Sequence, residues 1–512
     1  MADVEPINQP PEWWFEFLMN KFDAKLPRTP RASSTNTPGT RRERMDLLWD
    51  YYIGDPPLPF IQQKYQDTFS EVMRKARANY ATMAVDVMTD RSILQGVSTE
   101  ADPDVDGDDI ARQIQDTTGF AAVQRDVQTY LFALGEAYVT VVPPLQGVPD
   151  ALPMLLAEDP RRMVGQKDPL NPTRLIAAVK VYDDEIADQQ VALLFVNNNQ
   201  YTFRREVGQY STSFNVDQWT MDGSFNIPGI EVLGGVPVVR FDNKMGLGEF
   251  EAHLDLLDRI MDGVLQRIVI QWYQSFRQRA VKGDLDGGED LSDDDETDNL
   301  IRSVGDTSIS DLFQADPGAL WLVPEGVDFW ESEQADLTPL IMAIRDDVKE
   351  FAAATRTPLH IITPDAANGS AEGASLMREA LVDKITDRQA RQIPGWLLVY
   401  QLAFSLAGQE TRGKGMRLIW SKIERNSLQM KADAMAKTAG IMSRKRQLIE
   451  IFEMDPVTAK LNETELVQEM ILLEDQAQTA TTTGQPASTG STSGQASQTA
   501  SAPAQDEQAA AA

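Results

Sequence analysis

In residues 70–89, SEVMRKARANYATMAVDVMT, the apolar positions Val72, Met73, Ala76, Tyr80, Met83, Ala84 and Val87 recur at helical spacing and predict one amphipathic helix. A second helix fits 108–134, closed by Gly135. The period then changes. EAYVTVVPP, RLIAAVKVY, QVALLFVNNNQYTFRREV and GVPVVRF are β-branched and aromatic runs bounded by Gly, Pro and Asn, and they predict strands with a hairpin turn at 197–199. Residues 45–245 are therefore expected to be α+β. From Glu249 to Val281 the helical period returns, with Leu254, Leu257, Met261, Val264, Leu265, Ile268 and Trp272 on one face. A helix of that length spans roughly 45 Å. Further on, Thr338 and Pro339 offer an N-cap and a first-turn proline to a helix whose Ile341, Ile344, Val348 and Phe351 share a face, and Pro358 ends it. A third helix is expected from near Ser370, although Glu372 stands one place early for a capping box. Residues 374–475 read as mostly helical, with a break at Pro394-Gly395 and a short strand at MRLIW.

The ends differ from this pattern. PEWWFEFLMNKF predicts a short amphipathic helix that docks Trp14, Phe17 and Leu18 on a neighbour, and its flank shows neither the basic region nor the small-residue cleavage site of a secretory signal. Residues 27–44, PRTPRASSTNTPGTRRER, read as a flexible arm with a basic end. From Gln476 the chain turns to Thr, Ser, Gln, Ala and Gly, a composition too poor in large apolar groups to offset ordering entropy. No internal repeat of fixed period is visible.

Composition narrows the chemistry. With 512 residues, 42% of them hydrophobic, nine Trp and 19 Phe, the chain can bury a sizeable core. It has no cysteine, which removes disulfides, thiolate nucleophiles and sulfur-ligated zinc. The longest apolar run, WLLVYQLAFSLAG at 396–408, falls short of the ~20 residues of a membrane span. Formal charge is −31, which opposes generic adhesion to a phosphate backbone but suits a protein past which DNA must slide.

The motifs fail in informative places. GQETRGKG at 408–415 has Gly408, Gly413 and Lys414 of a phosphate-cradling loop, but Gly415 stands where the magnesium-binding hydroxyl belongs. A helix also precedes it and a strand follows, the reverse of a P-loop, so a Gly-rich turn is the better reading and an ATP-dependent DNA-processing enzyme the rival one. DPDVDGDDIARQ at 102–113 starts like a calcium loop with Asp102, Asp104, Asp106 and Gly107, yet Gln113 replaces the bidentate Glu. The acidic run Glu289, Asp290, Asp293, Asp294, Asp295 and Glu296 lacks a coordination spacing and reads as a solvated or partner-facing loop. His253 and His360 are the two histidines, and a triad of His360, Asp365 and Ser370 would lie in one loop without a nucleophile elbow. No constellation supports an enzyme, a metal site or a cofactor.

The order of parts is more specific than any motif: an α+β domain, a long helix, an acidic insertion, a second long helix, a loop of small residues and a third long helix. That order resembles the portal proteins of tailed double-stranded-DNA bacteriophages, in particular the long-tailed phages of actinobacteria. The resemblance is carried by LLWDYYIGDPPL at 47–58, NYATMAVDVMTDRSILQGV at 79–97, LFALGEAYVTVVP at 131–143, EDPRRM at 158–163 and GGVPVVRFDNK at 234–244. LTPLIMAIRDDVKEFAAATRTPLHII, SAEGASLMREALVDK and IWSKIERNSLQMKADAMAKTAGI extend it over most of 45–460. It implies a ring of twelve subunits at one capsid vertex, through which DNA is packaged by the terminase large subunit and later ejected, and to which head-completion adaptor proteins dock. Major capsid and scaffolding proteins are implied as neighbours, in the virion and, during assembly, in the host cytoplasm.

On the same resemblance, 1–44 is a helix and arm, 45–248 the wing, 249–281 and 336–357 the two stem helices, and 282–335 the clip. Residues 358–373 are the tunnel loop, 374–475 the long wing helix and crown, and 476–512 the tail. The loop Pro364, Asp365, Ala366, Ala367, Asn368, Gly369 and Ser370 has the small, hinge-forming residues of a moving gate. Arg277, Arg279 and Lys282 cluster where they could touch DNA weakly beside the clip.

Overall fold

The computed structural model describes residues 9–26, 38–58, 70–102, 107–145, 147–148, 151–206, 218–275, 279–282, 328–331, 335–362, 371–423, 428–452, 454 and 456–482. In chain order the helices are α1 (Pro11–Phe22), α2 (Arg41–Ile53), α3 (70–75), α4 (Tyr80–Thr89), α5 (Asp109–Thr118), α6 (Phe120–Leu134) and α7 (Leu254–Ser275). They continue with α8 (Thr338–Ala354), α9 (Leu359–Ile362), α10 (Ala371–Leu406), α11 (Leu428–Thr438), α12 (Arg444–Glu450) and α13 (Pro456–Thr482). The strands are β1 (Leu94–Ser98), β2 (Glu136–Val142), β3 (Met154–Glu158), β4 (Met163–Lys167), β5 (Leu175–Asp184) and β6 (Gln189–Val196). They end with β7 (Asn199–Glu206), β8 (Thr220–Asn226), β9 (Val238–Asp242), β10 (Arg279–Lys282), β11 (Asp328–Glu331) and β12 (Arg417–Trp420).

Two antiparallel sheets form the expected α+β region, one ordered β3-β2-β9 and the other β4-β5-β6-β7-β8. The Asn triplet does close a hairpin: Asn197 and Asn198 both have positive φ, 48° and 62°, as a two-residue primed turn requires, and Val196 faces Asn199. The main core joins α2, α4, α6, β2 and β9 to the second half of α10, where Trp396, Tyr400 and Phe404 are buried with Phe120 and Phe241. A separate core lies under α1, whose Trp14, Phe15, Leu18, Met19 and Phe22 cover Val164, Val179, Val181, Leu194 and Phe203 of the five-stranded sheet. The strand at MRLIW forms as β12, and its partner is β1, more than 300 residues earlier, so the C-terminal region is stitched to the start of the α+β domain.

Several elements differ from the periodicity. Residues 70–89 are two helices, because Asn79 is not helical and its side chain instead caps α4 by accepting from the Thr82 amide. Residues 108–134 are likewise split at Gly119, φ 68°, although Gly135 does close α6, and a Cβ there would stand 2.5 Å from the Gly246 carbonyl oxygen. The basic end of the supposed arm is helical: Thr40 and Glu43 form a capping box, and α2 begins at Arg41. The long helix is α7 alone, preceded by a 3-10 turn at Glu251–His253 and already followed by strand at Arg279. Thr338 is the first helical residue of α8 rather than its cap, and its amide donates to the Asp336 carboxylate (2.9 Å). No break occurs at Pro394. There α10 runs through, 36 residues long, because the packing of Trp396 and its neighbours outweighs the lost amide, and the bare Cα of Gly395 lets the Phe241 ring approach. Finally, α13 continues to Thr482, past Gln476, since Ala and Gln are good helix formers even without a core.

Candidate functional site

The helices α7 and α8 pack antiparallel, and named contacts give the register. Near one end Arg259 bridges Asp347 (2.8 Å) and Glu350 (2.6 Å), mid-helix the missing Cβ of Gly263 leaves room for Ile344, and at the far end the Gln274 amide donates to the Ala335 carbonyl (3.4 Å). The same register passes into the ribbon of β10 and β11, where Arg279 is opposite Glu331 and Lys282 opposite Asp328. Burial fades along this hairpin. Leu257, Ile260, Met261, Val348 and Phe351 are buried at its base, whereas toward the ribbon Trp272 is 48% and Met342 59% exposed. Met73 of α3 and Ala76 just after it cover Leu265 partway along.

At the base the hairpin is anchored by a buried ion network. Glu249 receives Lys384 (3.0 Å) and Arg388 (2.6 Å) from α10 and the Asn243 amide (2.9 Å) from the turn after β9. Lys384 also donates to the carbonyl of Thr355 at the end of α8 (2.8 Å), so one cluster ties α8, the segment that leads into α7, the sheet domain and the longest helix together. Burial alone would raise the Glu249 carboxyl. Lys384 and Arg388 outweigh it and hold that group below the usual carboxylate range. A cleft of about 390 Å³ opens beside the cluster, lined among others by Lys244, His253, Arg356 and Lys384. Burial and then Lys384 push His253 down, so its ring is neutral there at pH 7.

The helix α8 ends in a Schellman pattern rather than by proline alone. The Thr357 amide reaches the Ala352 carbonyl (2.8 Å) and Arg356 takes the left-handed position with φ 55°. A non-glycine residue there costs of order 1 kcal/mol.

A second buried cluster holds the sheet domain. Glu136 on β2 is gripped by Arg41 of α2 and by Arg240 of β9 (2.5 Å), and Arg44 of the same helix pairs with Glu251 (2.6 Å). Burial would raise the Glu136 carboxyl, but Arg41 and Arg240 hold it at about 2 against an ordinary 4.5. A carboxylate depressed in this way stabilises the fold above pH 4.5 and loses that contribution as pH falls toward 2. Urea unfolding followed from pH 5 downward should therefore lose about 3 kcal/mol through this group. The Glu136→Gln variant, weaker at neutral pH, should show a shallower acid limb; identical limbs in the two proteins would refute the assignment.

The residues singled out by sequence are distributed as follows. Pro364, Asp365, Ala366, Ala367, Asn368, Gly369 and Ser370 lie outside the described residues, as do Arg277 and the acidic run Glu289, Asp290, Asp293, Asp294, Asp295 and Glu296. Arg279 and Lys282 belong to β10. His360 sits in α9 and His253 lines the cleft, so the two histidines are on different elements. Gly408 to Gly415 connect α10 to β12 through a 3-10 turn, the reverse of the strand-to-helix order of a P-loop. In the calcium-like stretch Asp104 and Asp106 lie outside the described residues, and Asp108 is the working carboxylate. It caps α5 through the Ile110 and Ala111 amides (2.9 and 3.0 Å) and pairs with Arg412 (2.6 Å). Among the described residues no group of three or more His, Asp or Glu is placed to hold a metal ion, and no helix is long and apolar enough to cross a membrane. Sequence reasoning missed Glu249, Lys384 and Arg388, because the acid stands 135 or more residues from both bases along the chain and no local motif joins them.

The described residues build a sheet domain that bears an antiparallel helix pair and a terminal ribbon. The model of the family "Phage portal protein, SPP1 Gp6-like" matches residues 36–481, and the chain belongs to that family of phage portal proteins. No curated protein matches it. Among solved structures it is similar to a chain in the virion of a native gene transfer agent (GTA) particle, at 13% identity and TM-score 0.41, covering 80% of this chain and 93% of that one. Two others come from the neck of the native GTA particle computed with C12 symmetry (13% identity, TM-score 0.38, 77% and 94% covered) and the neck of the empty particle computed with C6 symmetry (12%, 0.39, 76% and 92%).

Proposed function

We propose that copies of this chain assemble head to tail into a closed ring of twelve at one vertex of an actinobacteriophage-type capsid, and that the ring is the channel for viral double-stranded DNA. The observation that carries this reading is membership of the portal family over 36–481. The packing supports it physically: half-exposed apolar side chains along α7 and α8, such as Trp272 and Met342, are covered when a neighbouring copy packs alongside, and a heterologous interface that closes does this for every copy. DNA enters driven by the terminase large subunit and leaves toward the tail, while head-completion adaptors dock on the same ring and major capsid and scaffolding proteins surround it. The protein acts as a conduit in the virion and, during assembly, in the host cytoplasm, with no catalytic step and no cofactor of its own.

In this reading 45–248 is the wing, and α7 and α8, within 249–281 and 336–357, are the stem. Residues 282–335 form the clip, whose acidic run Glu289 to Glu296 faces the motor and later the adaptor. Arg277, Arg279 and Lys282 touch passing DNA weakly beside it. The loop 358–373, with Pro364 to Ser370 at its centre, is a gate in the channel, and 374–475 supply the long wing helix and the crown. Negative-stain microscopy of the purified full-length protein is expected to show rings with a central hole. A protein that remains monomeric at every concentration tried would overturn the proposal.

A further inference from the structure

The cleft beside the Glu249 cluster is lined by charges that the fold does not balance. Its cations are Lys244, Arg356, Lys384 and Arg388, and its acids are Glu249, Asp383 and Asp387. With His253 neutral, four bases against three acids leave one net positive charge, in a chain whose total is −31. Two of the acids are already engaged. Glu249 accepts from Lys384, from two Arg388 donors and from the Asn243 amide, and Asp387 is shared by Arg388 and Arg391. Asp383 is exposed. Lys244 and Arg356 are exposed as well, and among the described residues neither side chain has a hydrogen-bond or ion-pair partner.

Two independent features show that the cleft is built rather than incidental. Among the described residues five that are not glycine have positive φ, and Asp188, Asn197 and Asn198 serve the hairpin turns between β5, β6 and β7. Met245 (φ 58°) and Arg356 (φ 55°) instead line this cleft. Strained backbone of this kind collects at ligand clamps, and at the end of α8 a glycine would sit without strain. The second feature is an orphaned acceptor. Asn243 Nδ2 donates to the Leu247 carbonyl (2.7 Å) and to Glu249 (2.9 Å), which fixes the amide and leaves Oδ1 buried with no partner. Asn243 is 5% exposed and lines the cleft. Burial lowers the Lys384 ammonium, Glu249 opposes the fall, and Arg388 and Arg356 add to it. An anion in the cleft relieves this crowding of cations, and a hydroxyl on that anion satisfies Asn243.

We infer that the cleft binds inorganic phosphate, with Arg356 and Lys244 as its free cations and Asn243 Oδ1 accepting from the hydroxyl that phosphate keeps at neutral pH. A volume of about 390 Å³ holds the ion with several waters. Sulfate and a phosphodiester carry no hydroxyl at neutral pH, so both leave the buried acceptor unpaired and bind less well. Bound phosphate bridges Arg356 at the end of α8 to Lys244 in the turn after β9, and so stiffens the base of the helix pair. The inference rests on the cleft and not on the portal reading.

The test titrates full-length protein with inorganic phosphate at pH 7 and constant ionic strength, with binding read by calorimetry and by melting temperature. Wild type should bind saturably and melt roughly 2–4 °C higher when loaded. Sulfate is excluded from protein surfaces as phosphate is, so it controls for general salting-out, and neither it nor dimethyl phosphate should give the saturable shift. Arg356→Gly removes the guanidinium and the backbone strain together, so it should fold as stably as wild type while binding phosphate at least about tenfold more weakly. Lys244→Gln should weaken binding by a smaller factor. Arg345→Gln, at an exposed cation of α8 outside the lining, should bind as wild type does. Absence of saturable phosphate binding by wild type, an equal response to sulfate, or undiminished binding by the double variant Arg356→Gly, Lys244→Gln would overturn the inference. A changed oligomeric state of Arg356→Gly in sedimentation would mark the cleft as a seat for a neighbouring copy, which also overturns it.

Discussion

Removal of residues 1–26 is expected to unfold the five-stranded sheet lobe, the largest single effect foreseen for any change in this chain. The helix α1 buries Trp14, Phe15, Leu18, Met19 and Phe22, each 2% exposed or less. At about 1.5–3 kcal/mol per large apolar side chain, an upper estimate of its contribution is about 8–15 kcal/mol, comparable to the whole stability of a domain. Removal also uncovers Val164, Val179, Val181, Leu194 and Phe203, a continuous apolar sheet face. The helix is held to its own chain by backbone bonds from Leu26 to Gly39 (3.1 Å) and from Arg41 to Ala24 (2.9 Å), so it docks in cis. The truncated protein should bind a hydrophobic dye strongly, aggregate and lose its sheet-lobe transition, and a peptide covering residues 9–26 should restore part of it. Leu18→Ala in the intact chain should cost about 2–5 kcal/mol. A truncated protein that melts as the full chain does, with no added dye binding, would show that α1 is dispensable.

That helix also shows what was legible in the sequence. Its amphipathic pattern and its anchors Trp14 and Leu18 are visible in a dozen residues, because a period of 3.6 needs no knowledge of the partner. It begins before residue 36, where the family match starts, so local pattern revealed what the family model does not cover. The hairpin at Asn197 and Asn198 and the closure by Gly135 were equally readable, since positive φ restricts the residue types that can stand there. Boundaries set by tertiary contact were not. Pro394 reads as a helix break until the ring of Phe241 is seen against Gly395, and Arg41 and Arg44 read as an arm's basic end until Glu136 and Glu251 are seen beside them. The candidate site divides the same way. The order of helices was readable along the chain, whereas the Glu249 network joins an acid and two bases far apart in it.

Substitution Glu249→Ala is expected to cost about 3–5 kcal/mol, because it leaves Lys384 without a counter-charge in a buried site and Arg388 with Asp387 alone at the edge of the cluster. The network is asymmetric, with one acid held by two bases, and this makes the reverse substitution milder. Lys384→Met leaves Glu249 paired with Arg388 at 2.6 Å and removes chiefly the donor to the Thr355 carbonyl, a loss of about 1–3 kcal/mol. The two variants together should cost less than the sum of the singles, since Lys384 is a liability only while it is charged and unpaired. Urea unfolding of the two single variants and the double variant measures all three quantities. Equal costs for Glu249→Ala and Lys384→Met, or strict additivity, would mean that the carboxylate is solvated and the cluster is not the anchor of α8. Where the cluster does act as that anchor, Glu249→Ala loosens the end of α8 at Thr355 and Arg356 first. Amide exchange should then rise at Ala352 to Thr357 before it rises in the β2 and β9 strands, which are held by the independent Glu136 cluster.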